Sequence, residues 1–262
     1  GFYKSVDGGA NWDSKTNGSF KDIAFKPGST TILYGASGGG FYRSTDAGEN
    51  WFQITAGMPG GARSVIAVTP ANPEIVYVLL AKSDDGFKGL YKSTNSGLTF
   101  AEMSTSPNIM DWSCDGSGTG GQAWYDLALV ADPVNPDVIY AGGVNVWKST
   151  NGGATWQING HWYGGCGVAE VHADQHIFEF NPINNRIYIG NDGGIYWTDN
   201  GGSQWNEITT GLPITQSYKI GQSATEDDLV IIGNQDNGTY LLDFDSWSAV
   251  GGGDGMECAI DQ

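Results

Sequence analysis

The sequence predicts an all-β protein of the β-propeller class, in which four-stranded antiparallel sheets, called blades, repeat around an axis. Three observations predict this fold. One short motif recurs five times along the 262 residues, β-branched runs alternate with turns rich in Gly and Pro, and the composition includes 41 Gly, 10 Trp, 12 Tyr and 10 Phe. Long helical patterns are absent. We therefore predict that residues 1–262 form a single β-propeller domain.

The recurring motif, called the box below, places a hydroxyl residue, Asp or Asn, Gly and an aromatic at offsets 0, 2, 4 and 7. Its copies are Ser5, Asp7, Gly9 and Trp12; Ser44, Asp46, Gly48 and Trp51; Ser93, Asn95, Gly97 and Phe100; Ser149, Asn151, Gly153 and Trp156; and Thr198, Asn200, Gly202 and Trp205. Their aromatics are 39, 49, 56 and 49 residues apart, about the length of one blade. Repetition at this period indicates architecture, because a catalytic motif is normally needed once.

The boxes share one local frame. An apolar run ending at a Pro-rich turn (64–74, "SVIAVTPANPE") is followed by a β-branched run (75–80, "IVYVLL") and an aromatic run that enters the box (90–95, "LYKSTN"). These runs predict strands A, B and C, so the box forms the C–D turn. Its Asp or Asn caps turn amides, its Gly adopts positive φ, and its aromatic covers the hairpin.

This pattern resembles the Asp-box, or bacterial neuraminidase repeat, of sialidases, of xyloglucan-cleaving tandem-propeller glucanases and of sortilin-type receptor propellers. The resemblance implies that the boxes lie on the outer rim, away from the active face, and hold blades together. Binding of Ca²⁺ or glycan by the boxes is the alternative.

The repeats give about five full blades and two partial ones. The chain opens at a strand C, a sixth unit (227–247) keeps strands B and C without a box, and "GGGDGMECAIDQ" (251–262) begins another strand A. A propeller hides its edges by closing the ring. We therefore expect a fragment of a longer chain, part of a seven-bladed ring, or a smaller ring closed by pairing its ends.

Chemistry is expected on the face that the B–C and D–A loops share. Asp192 and Asp236 occupy equivalent B–C loops, and Asp254, His172 and Asp174 enter from D–A loops. Asp192 and Asp236 could act as the acid/base pair of an inverting glycosidase, which needs a separation of roughly 6.5–9.5 Å. Asp192, Asp236, Asp254, His172 and Asp174 could instead bind a hard cation such as Ca²⁺, although no cofactor is required. Turn capping by these carboxylates is the structural alternative.

Asp192 also lies in "IGNDGGIYW" (189–197), which resembles the stretch carrying a catalytic Asp in the xyloglucan-cleaving family, one residue shorter. The resemblance implies that the second carboxylate comes from a second propeller, which this sequence lacks. In "HADQH" (172–176), a strand would place His172, Asp174 and His176 on one side. That pattern is typical of a pinned loop more than of a transition-metal site.

Aromatic residues in two long D–A loops predict a binding surface. Trp112, Trp124, Trp162 and Tyr163 could stack on sugar rings or on a partner's side chains, or could form a small core for the loops themselves. Sialidases clamp their substrate with three Arg. Here only Arg63 falls on this face, which argues against a sialidase and leaves Arg63 as a binding candidate.

The net charge of −17 excludes nucleic acid and anionic membrane as favoured partners, and no apolar run is long enough to insert into a membrane. Of three cysteines, Cys114 and Cys166 lie in the long D–A loops. We predict that they form a disulfide, with Cys258 free and buried, in a secreted or cell-surface protein. The favoured function is a binding or scaffold propeller for glycan or protein ligands. The alternative is a glycoside hydrolase acting on β-glucan or xyloglucan-type polysaccharide.

Overall fold

The structure is a computed structural model that describes residues 1–212 and 214–260. Its strands are β1 (Phe2–Lys4), β2 (Asp13–Thr16), β3 (Phe20–Phe25), β4 (Leu33–Ser37), β5 (Gly40–Ser44), β6 (Phe52–Ile54), β7 (Arg63–Val68), β8 (Val76–Ala81), β9 (Phe87–Ser93), β10 (Ala101–Ser104), β11 (Ala128–Ala131), β12 (Ile139–Gly142), β13 (Val146–Ser149), β14 (Gln157–Gly160), β15 (Gln175–Phe180), β16 (Ile187–Asn191), β17 (Gly194–Thr198), β18 (Asn206–Glu207), β19 (Gln216–Gln222), β20 (Leu229–Gln235), β21 (Thr239–Asp243) and β22 (Ser246–Gly251).

Consecutive strands pair to form the predicted sheets. Strands β1 and β2 form a two-stranded sheet, and five four-stranded sheets follow: blade 1 (β3–β6), blade 2 (β7–β10), blade 3 (β11–β14), blade 4 (β15–β18) and blade 5 (β19–β22). This order is that of a partial β-propeller, which confirms the predicted fold class. The described residues contain no helix with the length and hydropathy of a membrane span.

The chain divides into two compact units, which are described separately. The first contains Gly1–Asn191 with Ile195–Glu207, and therefore the two-stranded sheet and blades 1 to 4. The second contains Asp192–Gly194 and the chain from Ile208 onward, and therefore blade 5. The prediction of a single domain within a longer chain stays a prediction.

Neighbouring blades of the first unit pack through apolar clusters. Tyr34 and Phe41 of blade 1 pack with Val78 of blade 2, and Leu79 and Leu90 of blade 2 belong to a cluster shared with blade 3. A third cluster joins blades 3 and 4. The alternating apolar residues of each strand therefore bury their side chains between blades, which is the packing that a propeller requires.

The boxes form one recurring turn, between strands C and D as predicted. In all five copies the Ser or Thr hydroxyl donates to the Asp or Asn Oδ1 at 2.7–2.9 Å. The same hydroxyl accepts from the box Gly N–H at 2.8–3.1 Å, and that Gly has φ of 75–93°. These bonds satisfy the amide groups of the turn within the box, because the left-handed backbone at the Gly points its N–H towards the Ser or Thr hydroxyl.

The box aromatics do more than cover their own hairpins. Trp156 and Trp205 are each 7% exposed, and their Nε1 groups donate to Ser104 Oγ at 3.0 Å and to the Asn159 carbonyl at 3.2 Å, both in the preceding blade. Trp12, in the two-stranded sheet, donates from Nε1 to the Gly9 carbonyl of its own box at 3.0 Å and is 62% exposed. Trp156 and Trp205 therefore each contribute to an interface between blades.

A basic residue before each of the first four boxes reaches in the opposite direction. The contacts to the following blade are Lys4 to Glu49 at 2.7 Å, Arg43 to the Ser96 carbonyl at 2.9 Å, Lys92 to Asp137 at 2.7 Å and Lys148 to the Gly201 carbonyl at 2.9 Å. The C–D turn of blade 3 thus contacts both neighbouring blades, through Trp156 on one side and Lys148 on the other. This explains why the box and its preceding basic residue recur together.

Blade 5 lacks a box but has all four strands. Strand D (β22) was not anticipated, because its turn is a tight one at Phe244, with φ of 56°, in place of a box. The predicted strand A after Gly251 is wrong for the described residues 252–260, which form no strand. Among the described residues this segment makes single backbone hydrogen bonds in place of a ladder, such as that from the Gly255 N–H to the Asn234 carbonyl at 2.8 Å. Residues 261 and 262 of the predicted segment lie outside the described residues.

Candidate functional site

A cavity of about 440 Å³ in the first unit brings two long D–A loops to one B–C loop. Its lining consists of Trp112, Gln122, Val144, Trp162, Ala173 and Asp174. Val144 comes from the β12–β13 loop, and the others come from the loops before β11 and β15. At this cavity, one B–C loop and two D–A loops therefore lie together.

Asn145 holds the two tryptophan loops together. It is 1% exposed, its Nδ2 donates to the Trp112 carbonyl at 3.1 Å, and its Oδ1 accepts from the Trp162 N–H at 3.2 Å. Asp111, also 1% exposed, accepts from the Trp112 N–H at 2.8 Å. The backbone of both tryptophans is thus held by buried polar side chains, which are costly to leave unpaired.

A disulfide joins the same two loops. Cys114 and Cys166 are bonded, with a Cα–Cα distance of 5.9 Å and 52 residues of sequence separation. Cys114 follows Trp112 by two residues, and Cys166 follows Trp162 by four. Cys258 is free, but it is half-buried instead of buried, because it lies in the strandless segment 252–260, where its Sγ approaches the Lys219 and Ile231 carbonyls at 3.6 Å.

The polar edge of the cavity consists of Gln122 and Asp174, and the Gln122 amide also contacts the buried Asp126. Gln122 Nε2 donates to Asp126 Oδ2 at 3.0 Å and to Asp174 Oδ1. Asp126 is fully buried, and this burial raises its pKa to about 8, assisted by the charge of Asp174 and opposed by the Gln122 bond. Since both Nε2 hydrogens are used, Oε1 is the remaining polar atom of Gln122, and the edge offers acceptors to a ligand.

The other predicted aromatics lie outside this lining. Trp124 is 69% exposed and packs against Tyr125 with ring centroids 5.4 Å apart. Tyr163 is 59% exposed, and its ring lies 4.5 Å from that of Trp162 in an edge-on arrangement. Tyr163 therefore adjoins the lining tryptophan Trp162, and the two interpretations of the aromatic residues, ligand platform and loop core, both stay predictions.

Arg63 lies in a different place, a cavity of about 410 Å³ among strands β3, β7, β11 and β15. Its Nη1 donates to the Ala123 carbonyl at 2.8 Å, and burial lowers its pKa against the opposing charges of Asp126, Asp22 and Asp85. Asp22 accepts from the Ile66 N–H at 2.7 Å, and its burial raises its pKa. Arg63 therefore braces the inner strands and does not line the tryptophan cavity.

The segment "HADQH" is not a continuous strand. Of its five residues, Gln175 and His176 lie in β15, whereas His172 and Asp174 precede it, and Asp174 has φ of 67°. The strand on which His172, Asp174 and His176 would share one side does not form, because left-handed backbone at Asp174 interrupts the alternation. Asp174 is turned to Gln122 instead.

The second unit contains the remaining predicted carboxylates. Asp192 follows β16, Asp236 follows β20 with φ of 55°, and Asp254 Oδ1 accepts from the Asp236 N–H at 3.0 Å. Carboxylate oxygens of Asp192 and Asp236 lie within 4.8 Å of each other. This is closer than the roughly 6.5–9.5 Å that leaves room for water in an inverting pair. Asp254 performs the turn capping that was the structural alternative.

Sequence reasoning missed Asn145, Gln122 and Asp126. Asn145 lies in "GGVN" (142–145), which is typical of an ordinary hairpin turn, and Gln122 and Asp126 lie within a long loop of no regular pattern. The only available signal was a polar residue between apolar neighbours, such as Asp126 before "LALV" (127–130).

Comparisons with known proteins agree with this fold. The chain is similar to a xyloglucanase of Hypocrea jecorina, with 26% identity over 264 residues that cover 96% of this chain and 27% of the relative. It therefore spans about a quarter of that relative. No protein-family model matches the chain.

Solved structures of similar fold include the GH74 xyloglucanase from Xanthomonas campestris, with TM-score 0.55 and 18% identity over 92% of this chain and 39% of that one. An ancestral GH74 enzyme has TM-score 0.54 and 21% identity over 91% and 32%. The nidogen/laminin complex contains a chain with TM-score 0.52 and 10% identity over 89% and 80%. These likenesses show a β-propeller fold that both hydrolases and binding proteins use.

Proposed function

We propose that this chain is the ligand-binding propeller of a glycoside hydrolase that acts on a neutral β-glucan of the xyloglucan type. The observation that carries the proposal is the cavity in which Trp112 and Trp162 stand beside the acceptor edge of Gln122 and Asp174. The sequence similarity to a xyloglucanase supports the same conclusion. The sequence alone favours the binding propeller over the glycoside hydrolase, and this proposal places the glycoside hydrolase first.

The chemistry of the cavity fits a sugar. The C–H faces of a pyranose ring pack on indole, while its hydroxyl groups donate to carboxylate and amide oxygens. Gln122 and Asp174 supply such acceptors, and no Lys or Arg lines the cavity among the described residues. An anionic sugar would lack a cationic partner there and would be repelled by the net charge of −17. The ligand is therefore a neutral polysaccharide.

Preorganisation favours binding. Asn145 and the Cys114–Cys166 disulfide hold the two loops in place before a ligand arrives, so less conformational entropy is lost on binding. The disulfide also fits an extracellular or cell-surface location, where a polysaccharide substrate is found.

Asp192 is the proposed carboxylate for hydrolysis, on the resemblance of its turn to that of xyloglucan-cleaving enzymes. Asp236 is too close to serve as its inverting partner in this conformation. In the proposed enzyme the second carboxylate comes from a propeller outside these residues. Ca²⁺ bound by Asp192 and Asp236 would instead neutralise two neighbouring negative charges, and a chelator would then lower the melting temperature.

A binding propeller without turnover is the second candidate. It is favoured by the short Asp192–Asp236 separation and by the capping role of Asp254, since both fit turns more simply than an acid/base pair.

Binding and sugar release, measured together, separate the candidates. The chain should be retarded in gels containing xyloglucan but not in gels containing polygalacturonate, and Trp162→Ala should lose the retardation while Trp12→Ala, an exposed aromatic outside the site, keeps it. Because the second carboxylate of the proposed enzyme lies outside these residues, sugar release is measured with the longer protein that carries both propellers. Reducing-sugar release by that protein that disappears in its Asp192→Asn variant supports the hydrolase. Retardation of the chain without sugar release by the longer protein supports the binding propeller, and equal migration with and without xyloglucan contradicts both.

A further inference from the structure

A buried histidine lies beside the disulfide. One ring nitrogen of His161 and the Sγ atoms of Cys114 and Cys166 all lie within 4.8 Å of one another. His161 is 1% exposed, and its Nδ1 is enclosed by protein without a hydrogen-bond partner among the described residues. A buried polar atom of this kind is rare and calls for an explanation.

Nδ1 can supply the ligand lone pair, because a neutral imidazole has one unprotonated nitrogen and Nδ1 has no hydrogen-bond partner among the described residues. Tyr163 packs edge-on against the imidazole, with centroids 4.3 Å apart, and limits its rotation.

We propose that Cys114, Cys166 and His161 form a redox-gated site that binds a thiophilic divalent cation, with Zn²⁺ the best fit, once the disulfide is reduced. Two thiolates and one imidazole are ligands that Zn²⁺ prefers, and three protein ligands leave a fourth position for water. The site is independent of the proposed sugar cavity and does not require it to bind a ligand.

The gating step is a thiol–disulfide exchange. A dithiol reductant gives two electrons and two protons, the Cys114–Cys166 bond breaks to two thiols, and the dithiol becomes a cyclic disulfide. Zn²⁺ then displaces the two thiol protons and forms two Zn–S bonds and one Zn–N bond. In the oxidised protein neither sulfur is a thiolate, so the site is closed.

The cation would replace the disulfide as a link between the two loops. Both links join Cys114 to Cys166, and His161 adds the start of the second loop, next to Trp162. A reduced chain that binds Zn²⁺ would therefore keep Trp112 and Trp162 together, whereas a reduced chain without it would release them.

The experiment uses the full chain with Cys258→Ser, which removes the unrelated thiol. Oxidised and phosphine-reduced samples are titrated with Zn²⁺ against a chromophoric chelator, and with Co²⁺ to detect thiolate-to-metal absorption. We expect one Zn²⁺ per reduced chain, thiolate–Co²⁺ absorption, and neither in the oxidised chain. Equal affinity in both redox states would overturn the proposal, since the acidic residues of the chain are present in both.

Two variants test the ligands individually. His161→Phe keeps an aromatic ring in the buried space but has no nitrogen, and it should weaken Zn²⁺ binding by the reduced chain at least about tenfold. Cys166→Ser removes a sulfur ligand and should also weaken Zn²⁺ binding by the reduced chain at least about tenfold. If circular dichroism shows that His161→Phe is unfolded, the Zn²⁺ affinity of Cys166→Ser tests the ligand set instead. Unchanged affinity in either folded variant would show that the assigned ligand set is incorrect.

Discussion

Replacing Trp156 by alanine tests whether the boxes join blades. Trp156 is 7% exposed, belongs to the apolar cluster shared by blades 2 and 3, and donates to Ser104 Oγ. Truncating a buried Trp removes its transfer free energy and leaves a cavity, at about 3–5 kcal/mol. The lost hydrogen bond accounts for about 1 kcal/mol of that range. Trp156→Ala should therefore lower the free energy of unfolding by about 3–5 kcal/mol.

Trp12→Ala is the matched control, because Trp12 has the same place in its box but is 62% exposed. It should cost less than about 1 kcal/mol. Urea unfolding followed by circular dichroism gives both values, and hydrogen exchange should show faster opening of β9, β10, β13 and β14 in Trp156→Ala alone. Equal losses in the two variants would refute an inter-blade role. A stable Trp156→Ala that loses ligand binding would show instead that the boxes are functional.

Three further perturbations have defined outcomes. Thiol counting in denaturant without reductant should find one thiol, Cys258, whereas three thiols would contradict the disulfide. Reduction of the disulfide, which closes a loop of 52 residues, should lower the free energy of unfolding by about 4 kcal/mol. Because burial raises the pKa of Asp126 to about 8, this group lowers stability as pH rises from about 4 to about 8, by at most about 1.4 kcal/mol per pH unit. Asp126→Asn should flatten that part of the profile, and an unchanged profile would show that Asp126 ionises normally. Asn145→Ala should weaken xyloglucan binding at least as much as Trp162→Ala, since it releases both loops; unchanged affinity would show that the loops are held without Asn145.

Local patterns predicted the architecture well. The box, the Pro-rich A–B turns and the β-branched B runs each encode one hairpin within about ten residues, so the blades follow from short-range chemistry. The prediction failed where a different turn serves the same purpose, as at Phe244, which replaces a box and so hid β22. The prediction that Cys258 is buried was wrong, because an apolar pattern leads to burial only where a neighbouring strand covers the side chain.

The site was only partly predictable because its contacts are between distant residues. Trp112 and Trp162 could be named from their loops, and the cavity includes both. Asn145, which fixes them, is a turn residue in sequence and becomes a buried link only when two loops fold over it. The pairing of Asp126 with Gln122 likewise depends on the course of a long loop, and the left-handed Asp174 could not be inferred from strand alternation.

The central claim is that a neutral sugar binds between Trp112 and Trp162, and a crystal structure of the chain with a xyloglucan oligosaccharide tests it most directly. The account predicts a pyranose ring stacked on at least one of the two indoles, with hydroxyl groups within hydrogen-bonding distance of Gln122 Oε1 and Asp174. The account would be contradicted by an oligosaccharide that binds only at a box or only on the A–B turns. It would also be contradicted if no oligosaccharide is bound at concentrations that saturate the retardation in gels.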